Sequence, residues 1–434
     1  MPIKILAAGD LHLGKRSSGV PDDARTSSSK YTWELMINMC IDKQVDVLVL
    51  PGDIIDKDNR FFEAIGPLLN GFTRLKEHGV QVLMTSGNHD YDVPRQVADT
   101  AGMDHVALLG QHGQWEVRKL TKEGLTVQFA GWSFPEEQVK KNPLEDFDRA
   151  AIDPAWPAIG ILHCDVDVRD SVYAPVIKAD LMNTPVNAWL LGHIHKPEEI
   201  HHADPLIWYT GSPQAFSAKE PGTHGPLLVT VDDNQHITAH HISLSPIRYE
   251  PIQVSVNGEM DEGDLRSLLI NTMKEDAAKR KEESAQLQYI LYDVTLIGEH
   301  ERILEVDKWM MKFSGLPFQE LPGSSMQYGI RKIISQVRPL ITNLEEYVNP
   351  DTPVGVLAET ILAIREDRST PLLDKLIRQW QKRYNDMKSA PVYMPLQEFA
   401  DEEYGQGDKD TLARSCILQE CNRLFTELLS QQAP

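Results

Sequence analysis

The chain has 434 residues, 41% hydrophobic and 25% charged, an ordinary globular composition at a length that suits two or three domains. It has no apolar run of about 18 residues, which excludes a membrane-spanning helix, and its four cysteines form no CxxC pair and suit a reduced cytoplasm. Sixty-four acidic against 43 basic residues leave a formal charge of −21, which excludes a generally basic surface for gripping a polyanion.

In chain order, Ile3 to Ala8 read as a buried strand, followed by Gly9-Asp10-Leu11-His12. That strand begins so early that no signal peptide is expected. Helical periodicity runs from about Trp33 to Lys43, and a second strand, Val45 to Leu50, leads to Gly52-Asp53. A further helical stretch spans Phe61 to His78, and Val80 to Met84 leads to Gly87-Asn88-His89-Asp90. Ile159 to Leu162 leads to His163, and Ala188 to Leu191 leads to Gly192-His193-Ile194-His195. Strands recur at 206–210, 227–231 and 237–242. Short apolar runs of this kind, mostly ended by Gly or Pro, read as buried strands. Each polar block therefore follows the carboxyl end of a strand, the edge where open α/β sheets bind ligands.

Asp10, His12, Asp53, Asn88, His163, His193 and His195 all offer oxygen or imidazole nitrogen. That donor set suits hard-to-borderline divalent ions such as manganese, iron or zinc. One Asp within it can bridge two ions, and two ions about 3.5–4 Å apart are the usual device for displacement at phosphorus. A lone DxH or GNHD means little, since Asn and Asp favour turns for their own reasons. The conjunction of five blocks, each after a strand, carries the metal reading. Cys164 abuts His163, but this oxygen and nitrogen set needs no thiolate. The pairs His201-His202 and His240-His241 read as surface or strand residues, because neighbours on an extended segment point opposite ways.

These blocks resemble the calcineurin-like metallophosphoesterase superfamily. The longer strings Gly9-Asp10-Leu11-His12-Leu13-Gly14, Gly52-Asp53-Ile54-Ile55-Asp56, Gly87-Asn88-His89-Asp90 and Tyr209-Thr210-Gly211-Ser212-Pro213-Gln214 are similar to its DNA-repair exonuclease branch, which includes the SbcD-type nuclease subunit. Gly222-Thr223-His224-Gly225 also fits, and places His224 at the rim of the site. The resemblance implies that Asp10, His12 and His195 hold a first metal, that Asn88, His163 and His193 hold a second, and that Asp53 bridges them. It implies that His89 is no ligand but protonates the leaving oxygen, with Asp90 orienting it. Some members carry a His where this chain has Asp56.

The implied fold is α/β: a two-sheet sandwich flanked by helices over 1–245, a small α+β capping domain over 246–339 that selects DNA geometry, and a helical region over 340–434 for partner docking. The implied activity is a two-metal DNA exonuclease, with manganese as the assay metal and single-strand endonuclease action besides. An SMC-like coiled-coil ATPase is the expected partner, and a homodimer is allowed. The same metal set also permits a phosphodiesterase for small or cyclic diesters, or a metal-bearing scaffold subunit. Lys15, Arg16, Arg25 and Lys30 follow the first block and either track a nucleic-acid backbone or form a solvated loop.

Overall fold

The computed structural model describes residues 1–21, 23–57, 64–92, 97–98, 103–340, 344–388 and 409–432. Its strands begin with β1 (Ile3–Ala7), β2 (Val47–Pro51), β3 (Gln81–Thr85), β4 (Val106–Leu108), β5 (Glu116–Lys122) and β6 (Leu125–Trp132). They continue with β7 (Ala158–His163), β8 (Ala188–Gly192), β9 (Glu198–His201), β10 (Leu206–Tyr209), β11 (Leu227–Val231) and β12 (Ile237–His241). Helix α1 (Ser29–Asp42) follows β1, α2 (Ile65–Glu77) follows β2, and the short α3 (Lys178–Met182) precedes β8. The expected helix start at 61–63 lies outside the described residues.

Two six-stranded sheets result, ordered β12-β11-β1-β2-β3-β4 and β5-β6-β7-β8-β10-β9. In the first, β1, β2, β3 and β4 run parallel. In the second, β6, β7, β8 and β10 do. Parallel strands buried on both faces need apolar side chains on both, and alternation divides them. Ile3, Ile5, Val47 and Val49 meet Phe129, Ile159, Ile161 and Leu190 between the sheets. Leu6, Leu48, Leu50 and Val82 face outward to Trp33, Met36 and Phe72 of α1 and α2. Ser28 caps α1 by accepting from Lys30 N at 3.3 Å. Aligning the parallel strands gathers the loops at their carboxyl ends on one edge.

The remaining elements are β13 (Ile247–Val256), α4 (Glu262–Glu283), β14 (Tyr289–His300), α5 (Ile303–Phe313), β15 (Gln319–Glu320), β16 (Gln327–Ser335), β17 (Arg338–Pro339), α6 (Leu344–Tyr347), α7 (Pro353–Arg365), α8 (Pro371–Lys388) and α9 (Lys409–Gln432). The chain divides into two compact units, one of residues 1–251, 273–293 and 317–331, the other of 252–272, 294–316 and 332–434. In the first unit, Tyr249 Oη donates to Ser18 O at 2.6 Å, and Ile247, Tyr249 and Leu291 pack with Ala215. In the second, α7, α8 and α9 bury Ala358, Ile361, Leu373, Ile377, Ala413, Ile417 and Phe425 together. No helix among the described residues is long and apolar enough to cross a membrane.

His241 ends β12, mostly buried. Burial, with His224 beside it, pushes its pKa from 6.5 down to about 4. The unfolded chain takes up a proton below about 6.5 that the folded chain refuses. The stability contributed by neutral His241 is therefore present above that pH and lost as pH falls toward 4. His241→Gln removes this titration. Its melting temperature relative to wild type should rise between about pH 7 and pH 4.5 and stay level above about pH 7. A constant difference across that range would contradict a neutral buried imidazole.

Candidate metal centre

Loops leaving β1, β2, β3, β7 and β8 bring the expected residues together. Asp10 N donates to Gly52 O at 3.1 Å and His12 N to Asp53 O at 3.0 Å. His193 N donates to both Asp10 carboxylate oxygens at 3.1 Å, and His89 N donates to Asp53 Oδ1 at 2.9 Å. The backbone is left-handed at Asp10 (φ 50°), His12 (42°), Asp53 (48°) and His193 (98°). Such conformations cost of order 1–3 kcal/mol each in non-glycine residues and collect at functional sites. Two glycines permit the close approach. A Cβ at Gly87 would strike Asp53 Oδ1, and one at Gly192 would strike the Pro51 carbonyl oxygen and lie 2.8 Å from His163 Nδ1.

The side chains form two adjoining groups. His12 Nε2 and His195 Nε2 lie 3.1 Å apart, and the donor atoms of Asp10, His12 and His195 all fall within 4.8 Å of one another. Asp10, Asp53 and His163 meet the same limit. His163 Nε2 lies 3.1 Å from Asn88 Oδ1, and its ring centroid 5.2 Å from that of His193. Asp53 Oδ2 stands between the groups, 3.8 Å from His12 Nε2 and 3.6 Å from His163 Nε2. All seven residues named from sequence converge here.

The electrostatics fit cations. Asp10, Asp53 and Asp90 are buried within this small volume, and among the described residues no lysine or arginine forms an ion pair with any of them. Burial pushes Asp10 up to about 7, and burial with the neighbouring Asp53 charge does the same to Asp90. Burial also opposes ionisation of Asp53, but His163, His12 and His89 outweigh it and hold the carboxyl below its usual range. His163 is forced to about 4 by burial, so its nitrogen keeps a free lone pair at neutral pH. Buried carboxylates beside the neutral imidazoles of His12 and His163 are a donor set that a divalent ion satisfies and that is costly without a compensating charge.

Each histidine is steered by a group that sequence reading did not identify in that role. Glu220 Oε1 lies 2.9 Å from His195 Nδ1, Asp165 Oδ1 3.1 Å from His193 Nε2, Asp56 Oδ1 3.4 Å from His12 Nδ1, and the Pro51 carbonyl oxygen 3.1 Å from His163 Nδ1. Partners of this kind fix which ring nitrogen faces the ion and raise its basicity. Burial lowers proton affinity at His193 and His195, yet Asp165 and Glu220 overcome it and leave both raised. Asp165 carried a legible signal, two residues beyond His163 at a strand end. Glu220 carried none, since only the fold brings it to His195.

His89 stands at the opening, its side chain 40% exposed, with Nε2 3.9 Å from Asp53 Oδ2. Its ring meets His12 edge-on at 5.0 Å. Asp90 does not take the expected part of orienting that ring. Its oxygens accept from Gly87 N (2.8 Å), Ile54 N (2.7 Å) and Ile55 N (3.3 Å), so it locks the Asp53 loop to the Asn88 loop. His224 is not at the rim either. It is fully buried, 3.1 Å from Ser212 O and 3.2 Å from Glu220 O, and supports the loop that carries Glu220.

Residues 3–197 match the calcineurin-like phosphoesterase family, and this stretch is a calcineurin-like metallophosphoesterase domain, of a family that uses divalent metals. The chain is 29% identical over 238 residues to a Bacillus subtilis protein named uncharacterized metallophosphoesterase YhaO, covering 53% of this chain and 57% of that one. It is 24% identical over 408 residues to the DNA double-strand break repair protein Mre11 of Methanopyrus kandleri, covering 86% of this chain and 85% of that one. It is 29% identical over 240 residues to the protein of the same name from Methanosarcina acetivorans, covering 53% and 37%.

Proposed function

We propose that the chain is a two-metal DNA nuclease, chiefly an exonuclease with single-strand endonuclease action, working in the cytoplasm with manganese. The convergence of the seven donor side chains, with His89 beside them at the opening, carries the reading. Alignment over 86% of the chain to a protein named for DNA double-strand break repair supports the choice of substrate. Asp10, His12 and His195 would hold one ion, Asn88, His163 and His193 the other, with Asp53 common to both. When bound, the ions lower the pKa of the attacking water and offset the charge that builds on phosphorus.

The chain's own residues do the rest. Asp56, Glu220, Asp165 and the Pro51 carbonyl hold the ring tautomers so that the second nitrogen of each imidazole faces inward. Asp90 keeps the loops bearing Asp53 and Asn88 in register. His89, half-buried at the opening and outside the proposed ligand set, donates a proton to the departing 3′ or 5′ oxygen.

An SMC-like coiled-coil ATPase is the proposed partner, docked on the C-terminal helices. There a groove of about 690 Å³ is lined by Val356, Leu357, Leu424 and Leu428. Co-expression with such an ATPase should give a complex that survives purification.

A phosphodiesterase for small diesters is the second reading, favoured by the net charge of −21. The two are separated by incubating the chain in Mn²⁺ with end-labelled single- and double-stranded DNA and, in parallel, a small chromogenic phosphodiester. Shortened DNA supports the nuclease. Hydrolysis of the small diester alone would move the answer to the second reading.

A further inference from the structure

Lys15 lies in the turn after the first ligand block. Its amide donates to His12 O at 2.9 Å and its carbonyl accepts from Ser29 N at 3.0 Å, so the backbone beneath it is fixed. The ammonium stands over the Phe216 ring, 4.9 Å from the centroid. That ring is also fixed. Phe216 is buried, its amide donates to Glu220 Oε2 at 2.6 Å, and its carbonyl accepts from Ser18 N at 3.0 Å. The same ring meets His12 at 5.9 Å and His195 at 6.1 Å between centroids.

Among the described residues no carboxylate pairs with Lys15, in a chain with 64 acidic and 43 basic residues. A cation held in place without an anionic partner, beside a site for phosphate chemistry, is a receptor for an anion. The scissile phosphate belongs against the metal-binding nitrogens. The ammonium sits on the aromatic ring next to them, so the phosphate within its reach is a neighbouring one. We propose that Lys15, seated on Phe216, binds a phosphate adjacent to the scissile one and so selects polynucleotides over single-phosphate diesters. This rests on the nuclease reading.

The test compares the full chain, Lys15→Met and Lys15→Arg in Mn²⁺ on a single-stranded oligonucleotide and on bis(p-nitrophenyl) phosphate. Lys15→Met should raise KM for the oligonucleotide on the order of tenfold and lower the slope of log KM against log salt by about 1, the signature of one lost phosphate contact. The ratio of kcat/KM on the oligonucleotide to that on the small diester should fall by about the same factor, and Lys15→Arg should recover most of it. Equal losses on both substrates, or an unaltered salt slope, would overturn the proposal. A wild-type chain that cuts DNA while Lys15→Met keeps its KM sinks the proposal alone. A wild-type chain that cleaves only the small diester sinks the nuclease reading and the proposal with it.

Discussion

Asp53→Ala should leave the chain folded and unable to hold its ions. Asp53 Oδ2 stands between the two proposed ligand groups, 3.8 Å from His12 Nε2 on one side and 3.6 Å from His163 Nε2 on the other. Losing a group that merely orients a ligand costs about 10–100-fold in metal affinity, so losing the shared ligand should cost more than about 100-fold at each ion. The fold should survive, because the relief of repulsion on Asp10 and Asp90 offsets the lost attraction to His163, His12 and His89. Calorimetric titration with Mn²⁺ reads the affinity and thermal unfolding in chelator reads the fold. Two ions bound at wild-type affinity would end the bridging role.

His89→Ala should do the opposite: keep the metal and lose the chemistry. General-acid help is typically worth about 10²–10⁴-fold, and kcat should fall within that range while Mn²⁺ affinity stays at the wild-type value. The rival outcome is concrete, because His89 also offers a nitrogen within 4.8 Å of donor atoms on His12 and Asp56. Loss of an ion from His89→Ala, with normal turnover per loaded site, would make His89 a ligand of that group. Leaving-group dependence adds a second readout. The deficit should shrink on a diester whose leaving phenolate needs no proton.

The candidate metal-binding residues are legible because each follows an apolar strand whose parallel neighbours align the loop ends. Asp10, Asp53, Asn88, His163 and His193 needed only that rule. What escaped was everything set by loop conformation. Asp90 looked like a partner for its neighbour His89, but a tight turn aims its carboxylate at the amides of Gly87, Ile54 and Ile55. His224 looked like rim and is a buried support. Glu220 is 25 residues from His195 and meets it only through the fold. The β5–β6 hairpin carried little signal because Glu116–Lys122 is charged and largely exposed, with only β6 buried throughout.

The proposed two-ion centre is tested most directly by diffraction from crystals equilibrated with Mn²⁺, using the metal's anomalous signal. Two peaks about 3.5–4 Å apart on either side of the Asp53 carboxylate, with His89 on neither, are the expected result. A single peak, or an ion held by His12, Asp56 and His89, would contradict it.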